Sequence, residues 1–438
     1  MKRQYFGTDG VRGPFGGPLV NPDFAARLGY AAGKWAGGGR VFIGRDTRGS
    51  GPTLLVALAN GFLAAGCEVY DLGAVPTPAV ARELKLSDAS LGAVVTASHN
   101  PAGDNGIKFF APGGIKLSNE QELAIEAGLP ESVSETLASF QFHRGARSGY
   151  IFAMSAILSA HALKGWKIVV DTANGATSYT SPNVLRILGA KVDQIGHEPD
   201  GTNINAGVGS EYPEQLAKRV VAVGARLGVA HDGDGDRCIL SDELGHVLDG
   251  DDVLTILATD AISRGALGAN TLVITRQSNL GVDVAVKAAG GQVVRTDIGD
   301  RYVAEKMREI GSSLGGESSG HIICDEIGPT GDGLGAALLL LDVMHRTGKP
   351  LSELKTVLVK APQKSNAMRV SQKPPLGECA RLQEAMTVIA SEFGEQGRLL
   401  VRYSGTEPKL RLLVEGPTME AVEAAYARLE AAAQADLC

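Results

Sequence analysis

The chain has 438 residues, of which 44% are hydrophobic and 21% charged, and a formal net charge of −7. That length suits three or four domains, and the acidic balance excludes a general nucleic-acid binder, because no basic field would hold a phosphate backbone. Five scattered cysteines without a CxxC pair, a start (MKRQYFG) without an apolar core, and no apolar run of about 18 residues argue against a disulfide framework, a zinc site, a secretory signal and a membrane span; a reducing cytoplasm is the expected home.

The first clear pattern is VFIGRDTRGS at 41–50, an apolar strand entering a polar loop. A helix over 54–65 and a second strand in AGCEVYDLG, ending at Gly73, follow it. The outline returns in KIVVDTANGA from 167, with a helix near 184–188 and GAKVDQIG closing at Gly196. It returns again in TLVITRQSNLG from 271, with a helix over 282–289 and GGQVVRTDIG closing at Gly299. Near-continuous Val, Ile and Leu strands of this kind are buried in parallel sheets, so each copy reads as a βαβ unit. Copies ~100–120 residues apart are too widely spaced for a solenoid and suit three related domains. The apolar run at 335–341 reads as a buried helix face. Beyond about 360 the texture changes: 363–375 reads as a polar linker, 381–393 as a helix, 397–403 and 410–415 as strands, and 419–435 as an Ala/Glu-rich helix. The predicted class is α/β, with three related α/β domains at 1–150, 151–250 and 251–360 and a smaller C-terminal α+β domain at 361–438.

Four motifs carry chemistry. TASHNP at 96–101 follows the strand predicted over 91–95, and catalytic groups in open α/β sheets collect beyond the carboxyl ends of strands. It reads equally as a turn closed by Pro101. Ser98 is its nucleophile candidate. In an extended loop adjacent side chains face opposite ways, so His99 is not expected to serve Ser98 as a base, and the GxSxG elbow of hydrolases is absent. DGDGDR at 232–237 places Asp232, Asp234 and Asp236 at alternate positions, with Gly233 and Gly235 letting the backbone bend. Carboxylates that close repel unless a hard cation joins them. An EF-hand is excluded because Arg237 stands where its sharp turn requires Gly and 238–240 looks like a strand; a solvated acidic turn is the alternative. These ligands together with a phosphate oxygen suit Mg²⁺.

GGESSGH at 315–321 offers Glu317 and Ser319 to sugar hydroxyls, and His321 as an acid or base near neutral pH. RYSGTEPKLR at 402–411 sets two arginines, a lysine, two hydroxyls and a glycine between two strands, the donor set that a phosphate dianion needs. Its alternative is a charged hairpin tip in which Glu407 pairs with Arg411. Together the four supply a nucleophile candidate, a carboxylate nest, a sugar loop and a phosphate cradle, one per domain.

In this order, over essentially the whole chain, the motifs resemble those of the α-D-phosphohexomutase superfamily: its phosphoserine, metal, sugar-specificity and phosphate-binding loops. FGTDGVRG at 6–13 and DNGIKFF at 104–110 resemble most the bacterial phosphoglucosamine mutase branch, which usually has Gln where this chain has Ser318 and Lys where it has Asp297. The resemblance implies four domains around a central cleft, the α/β ones with mixed sheets. It implies phosphate carried on Ser98, with a phosphate oxygen joining Asp232, Asp234 and Asp236 around one Mg²⁺ and Arg237 offsetting charge. His99 and Asn100 belong to the phosphoserine loop, Arg12 and Lys108 flank it, and Lys108 and His321 move protons. Glu317 and Ser319 hold the sugar, and Arg402, Ser404, Gly405, Thr406 and Arg411 hold the phosphate that is not reacting. The implied reaction interconverts glucosamine 6-phosphate and glucosamine 1-phosphate through a 1,6-bisphosphate that also primes the enzyme. Action on mannose or glucose phosphates, or a non-catalytic sugar-phosphate sensor, are the alternatives. The implied partner is a small phosphosugar, without nucleic acid or membrane, and a homodimer is among the expected assemblies.

Overall fold

The computed structural model describes residues 3–7, 9–134, 139–404 and 408–438. Four sheets organise the chain. In the first, strands Gly39–Arg45, Cys67–Ala74 and Leu91–Val95 run parallel, and Asp104–Ala111 returns antiparallel beside Leu91–Val95. In the second, Lys191–Ile195, Lys167–Asp171 and Leu227–His231 are parallel and Cys238–Asp242 returns antiparallel. The third repeats the scheme with Gln292–Thr296, Thr271–Thr275 and Leu314–Gly316, closed by Ile322–Cys324. Mixed sheets thus arise the same way three times. Each parallel strand that leads into a functional motif ends in a loop, and the chain then turns back as an antiparallel strand. Residues 96–103, 232–237 and 317–321 are these three loops.

Burial explains the apolar runs. All five residues of Leu91–Val95, Leu227–His231 and Thr271–Thr275 are buried, as expected for parallel strands covered on both faces. One continuous apolar cluster joins Val80 and Phe110 of the first sheet's layers to Ile168 and Leu240 of the second and Leu272 of the third. The helix Gly333–Thr347 lies within it and buries Leu338, Leu340 and Leu341, the face expected of the run at 335–341; Asp332 caps its start and Gly348, at φ 71°, ends it. Among the described residues no helix is long and apolar enough to cross a membrane.

The C-terminal unit has its own core around Leu382, Leu412 and Tyr426. Here one expectation fails. Residues 363–369 are not linker but the strand Gln363–Arg369, paired antiparallel with Lys409–Glu415 from Gln363 opposite Glu415 to Arg369 opposite Lys409. Six of its seven side chains are exposed, so it shows no alternation of apolar and polar residues; backbone pairing alone makes it a strand. Strand Arg398–Tyr403 covers the other side of Lys409–Glu415. Helix starts also lie a few residues earlier than the apolar pattern suggests, at Gly51 and Thr180, because Pro52 and Pro182 sit in first turns that apolar periodicity does not mark.

Candidate active site

The motif loops of the first three domains converge at the carboxyl ends of their parallel strands. Ser98, 1% exposed, donates a 2.6 Å hydrogen bond from Oγ to Asp232 Oδ2. Asp232, Asp234 and Asp236 bring one carboxylate oxygen each within 4.8 Å of one another, and all three are buried. Asp234 Oδ2 accepts from Thr77 Oγ1 at 2.5 Å and from Lys108 Nζ at 2.6 Å, and Lys108 Nζ also reaches Asp236 Oδ2 at 3.0 Å. Asp234 Oδ1 is buried with no hydrogen-bond donor. A buried carboxylate oxygen left unsatisfied beside two more carboxylates is what a hard, oxygen-seeking cation requires, so this donor set fits such an ion.

Two sequence expectations meet this geometry differently. Ser98 is not extended: its φ of 51° puts it in the left-handed region, and its Oγ lies 3.3 Å from His99 Nδ1. The argument that adjacent side chains must diverge therefore does not hold here. Burial first, then the cations Arg237 and Arg12, lower the His99 pKa to about 4, so the imidazole stays neutral. Gly405 and Thr406 lie outside the described residues.

The other named residues gather round one cavity of about 320 Å³, lined by Arg12, His99, Arg237, Glu317, Ser319 and His321 together with Arg402 and Arg411. Arg402 and Arg411 stand opposite each other on adjacent strands. Burial, and then the charge of Arg411, pull the Arg402 pKa below the ordinary arginine value, as for cations set close together for an anion. Ser404 is buried between them in sequence, its N–H donating to Lys409 O at 2.8 Å. Asn100 anchors its own loop, Nδ2 donating to Asp104 Oδ2 at 2.9 Å. Arg237 Nε lies 4.0 Å from Asp232 and 3.9 Å from Asp236, and its backbone bridges to that of His321.

His321 sits between two carboxylates, Nδ1 3.4 Å from Asp236 and Nε2 3.0 Å from Asp300. Burial alone would discharge it, but Asp300 and then Asp236 outweigh burial and raise its pKa to about 10. Likewise burial opposes the Lys108 charge, while Asp234 and Asp236 hold its pKa well above the ordinary lysine value. Both groups are therefore held in their protonated form by these carboxylates. The geometry also brings in residues that motif reading passed over. Asp9 pairs with Arg12 and receives Lys116 Nζ at 2.7 Å, Lys116 pairs in turn with Asp300, and Gln277 lines the cavity. Asp9 stands inside FGTDGVRG, where it reads as one polar residue among several, and Asp300 directly follows GGQVVRTDIG with no pattern of its own. Lys116 and Gln277 gave no local signal.

Four stretches match the domains of one family: Phosphoglucomutase/phosphomannomutase alpha/beta/alpha domain I at 3–135, domain II at 148–245, domain III at 249–361 and the C-terminal domain at 364–432. A phosphoglucosamine mutase from Halorhodospira halophila is 46% identical over 424 residues, covering 95% of this chain and 93% of that one. The crystal structure of a putative phosphomannomutase from Thermus thermophilus superposes with a TM-score of 0.81 at 27% identity, covering 98% of each chain. An N-acetylphosphoglucosamine mutase from Aspergillus fumigatus, solved with GlcNAc-6P and magnesium, shares the fold at a TM-score of 0.69 and 18% identity, covering 99% of this chain and 96% of that one.

Proposed function

The chain belongs to the phosphoglucomutase/phosphomannomutase family, and we propose that its reaction is the interconversion of glucosamine 6-phosphate and glucosamine 1-phosphate. The observation that carries this reading is the single cavity shared by His99, beside Ser98, by Glu317 and Ser319, and by Arg402 and Arg411. Sugar-hydroxyl partners and a phosphate cradle then face one volume, and the phosphoryl carrier is the chain neighbour of His99 in its wall.

In this reading Ser98 enters the cycle as phosphoserine. Its P–Oγ bond breaks while a new P–O bond forms to the sugar's free 1-hydroxyl, and the proton lost by that hydroxyl is balanced by the one that Ser98 Oγ gains. The 1,6-bisphosphate turns end for end, and Ser98 Oγ takes the 6-phosphoryl in the reverse sense, releasing glucosamine 1-phosphate. Lys108 and His321, both held cationic, are the candidates for returning a proton to the departing oxygen. Arg402, Ser404 and Arg411, together with Gly405 and Thr406 of the same motif, are assigned to whichever phosphate is not moving; Arg forks suit that dianion in either orientation. Arg12 flanks the phosphoserine, and Arg237 supplies charge on the other side. Asp232, Asp234 and Asp236 would hold Mg²⁺, which when bound neutralises charge gathered on the phosphoryl oxygens. Such transfers depend chiefly on positioning and charge stabilisation, which these residues provide.

The amino sugar is supported by the Halorhodospira relative; the Aspergillus enzyme contributes the fold alone. An ammonium at C2 requires an acceptor, whereas a hydroxyl both donates and accepts, so buried acceptors can separate the two. The test is kcat/KM for the 6-phosphates of glucosamine, glucose and mannose under identical bisphosphate priming. Glucosamine 6-phosphate is expected to be the best of the three. A better rate with glucose or mannose 6-phosphate would overturn the sugar assignment and leave the phosphoserine mechanism standing.

A further inference from the structure

The geometry points to Arg48, acting with Asn205, as the positioning residue that fixes Ser98 for phosphoryl transfer. This inference rests on Ser98 being the phosphoryl carrier. Arg48 and Asp46 are both 0% exposed and form an ion pair, Nε to Oδ2 at 2.9 Å. That pair leaves the rest of the guanidinium for backbone. One terminal nitrogen donates to the carbonyls of Ser98 at 3.0 Å and Asn100 at 2.8 Å, the other to those of Pro101 and, at 2.8 Å, Asp104. All five N–H donors of the group are used, three of them on the loop that carries Ser98 and one on Asp104, where the next strand begins. Asn205, from the second domain, donates through Nδ2 to the same Ser98 and Asn100 carbonyls, at 2.8 and 3.0 Å.

The amide side of Ser98 is held by the same ion pair. Thr96 Oγ1 donates to Asp46 Oδ2 at 2.7 Å and accepts the Ser98 N–H at 2.9 Å. Both backbone dipoles of Ser98 are thus pinned while the residue keeps its left-handed φ of 51°, a conformation that residues with a Cβ seldom adopt. Space confirms how tightly it is set: a Cβ on Gly233 of the carboxylate loop would come within 2.6 Å of the Ser98 carbonyl oxygen. Neither Arg48 nor Asn205 lines the cavity. Their effect on the reaction passes through Ser98, so it falls on transfer and not on sugar-phosphate affinity.

The experiment uses the full chain, phosphorylated by bisphosphate, and measures single-turnover transfer per mole of phosphorylated protein, with KM and melting temperature alongside. Arg48→Lys keeps the charge beside Asp46 and loses most of the fork; Asn205→Ala removes the second clamp. Both are expected to slow transfer at least tenfold per phosphorylated molecule with KM within about twofold. Should Arg48→Lys fail to fold, Asn205→Ala alone decides. Transfer within twofold of the parent, or a loss shared equally between KM and kcat, would overturn the inference. Ser98→Ala is the control: if that variant turns over normally, it is the carrier assignment that fails and not the clamp.

Discussion

Ser98 Oγ donates a 2.6 Å hydrogen bond to Asp232 Oδ2 across 134 residues of sequence. It joins the loop after one domain's parallel strand to the equivalent loop of the next, and so brings the serine proposed as phosphoryl carrier against the carboxylate nest. Ser98→Ala removes that hydroxyl while leaving a buried methyl. Mutase activity should fall by on the order of 10³-fold or more, with the melting temperature little changed. A steady-state assay and a thermal melt on the same preparation check this; normal turnover excludes the phosphoserine route.

Asp234 carries a buried oxygen, Oδ1, that has no donor among the described residues. Asp234→Asn keeps the shape and removes a charge, so it should weaken Mg²⁺ binding about tenfold or more, read by calorimetric titration as well as by the Mg²⁺ dependence of rate. Chelation of the parent enzyme should abolish turnover, and added Mg²⁺ should restore it. Full activity in excess chelator would contradict the assignment of these aspartates.

Arg411 faces Arg402 across paired strands and lines the cavity. Arg411→Lys preserves the charge but loses the forked donor pair. A charge-assisted hydrogen bond contributes about 1.5–3 kcal/mol, so kcat/KM should drop roughly 10- to 100-fold, mostly through KM. An unchanged KM for both the 1- and 6-phosphate would remove this residue from the phosphate cradle.

Glu122 and Arg301 are 3% and 5% exposed and join the helix Asn119–Ala127 of the first domain to Asp300–Ile310 of the third, with bonds of 3.1 and 2.5 Å. Glu122→Gln leaves a buried guanidinium without its counter-charge, a loss of roughly 3–5 kcal/mol. Urea denaturation should show a lower midpoint, and a variant as stable as the parent would show that this pair does not hold the two domains together.

Asp332 caps the helix Gly333–Thr347, accepts the Tyr150 hydroxyl at 2.7 Å and has its pKa raised by burial to about 6. A carboxyl whose folded-state pKa lies above its unfolded value stabilises fully below about pH 4, and that contribution is lost as pH rises through about 6. The melting temperature should therefore decline between about pH 4 and about pH 6 by a component that Asp332→Asn abolishes, since Asn still caps and still accepts from Tyr150. Identical pH profiles for parent and variant would show that Asp332 does not titrate in this window.

The sequence by itself determined the repeated βαβ outline, the order of the four motifs and the types of chemistry they offer. Those features are local: a strand such as Leu91–Val95 is apolar because both of its faces are covered, and Asp232, Asp234 and Asp236 lie within five residues, so their convergence needs only a bent loop. The polar strand Gln363–Arg369 was illegible because exposed side chains carry no period and its pairing partner lies some 40 residues away. The left-handed turn at Ser98 was illegible for a related reason: nothing in TASHNP requires it, and the groups that hold it come from Asp46, Arg48 and Asn205. The charge state of His321 likewise depends on Asp236 and Asp300, which approach it only in the folded chain. Local chemistry is written in spacing, whereas the partners that aim and charge these groups are set by how the domains pack.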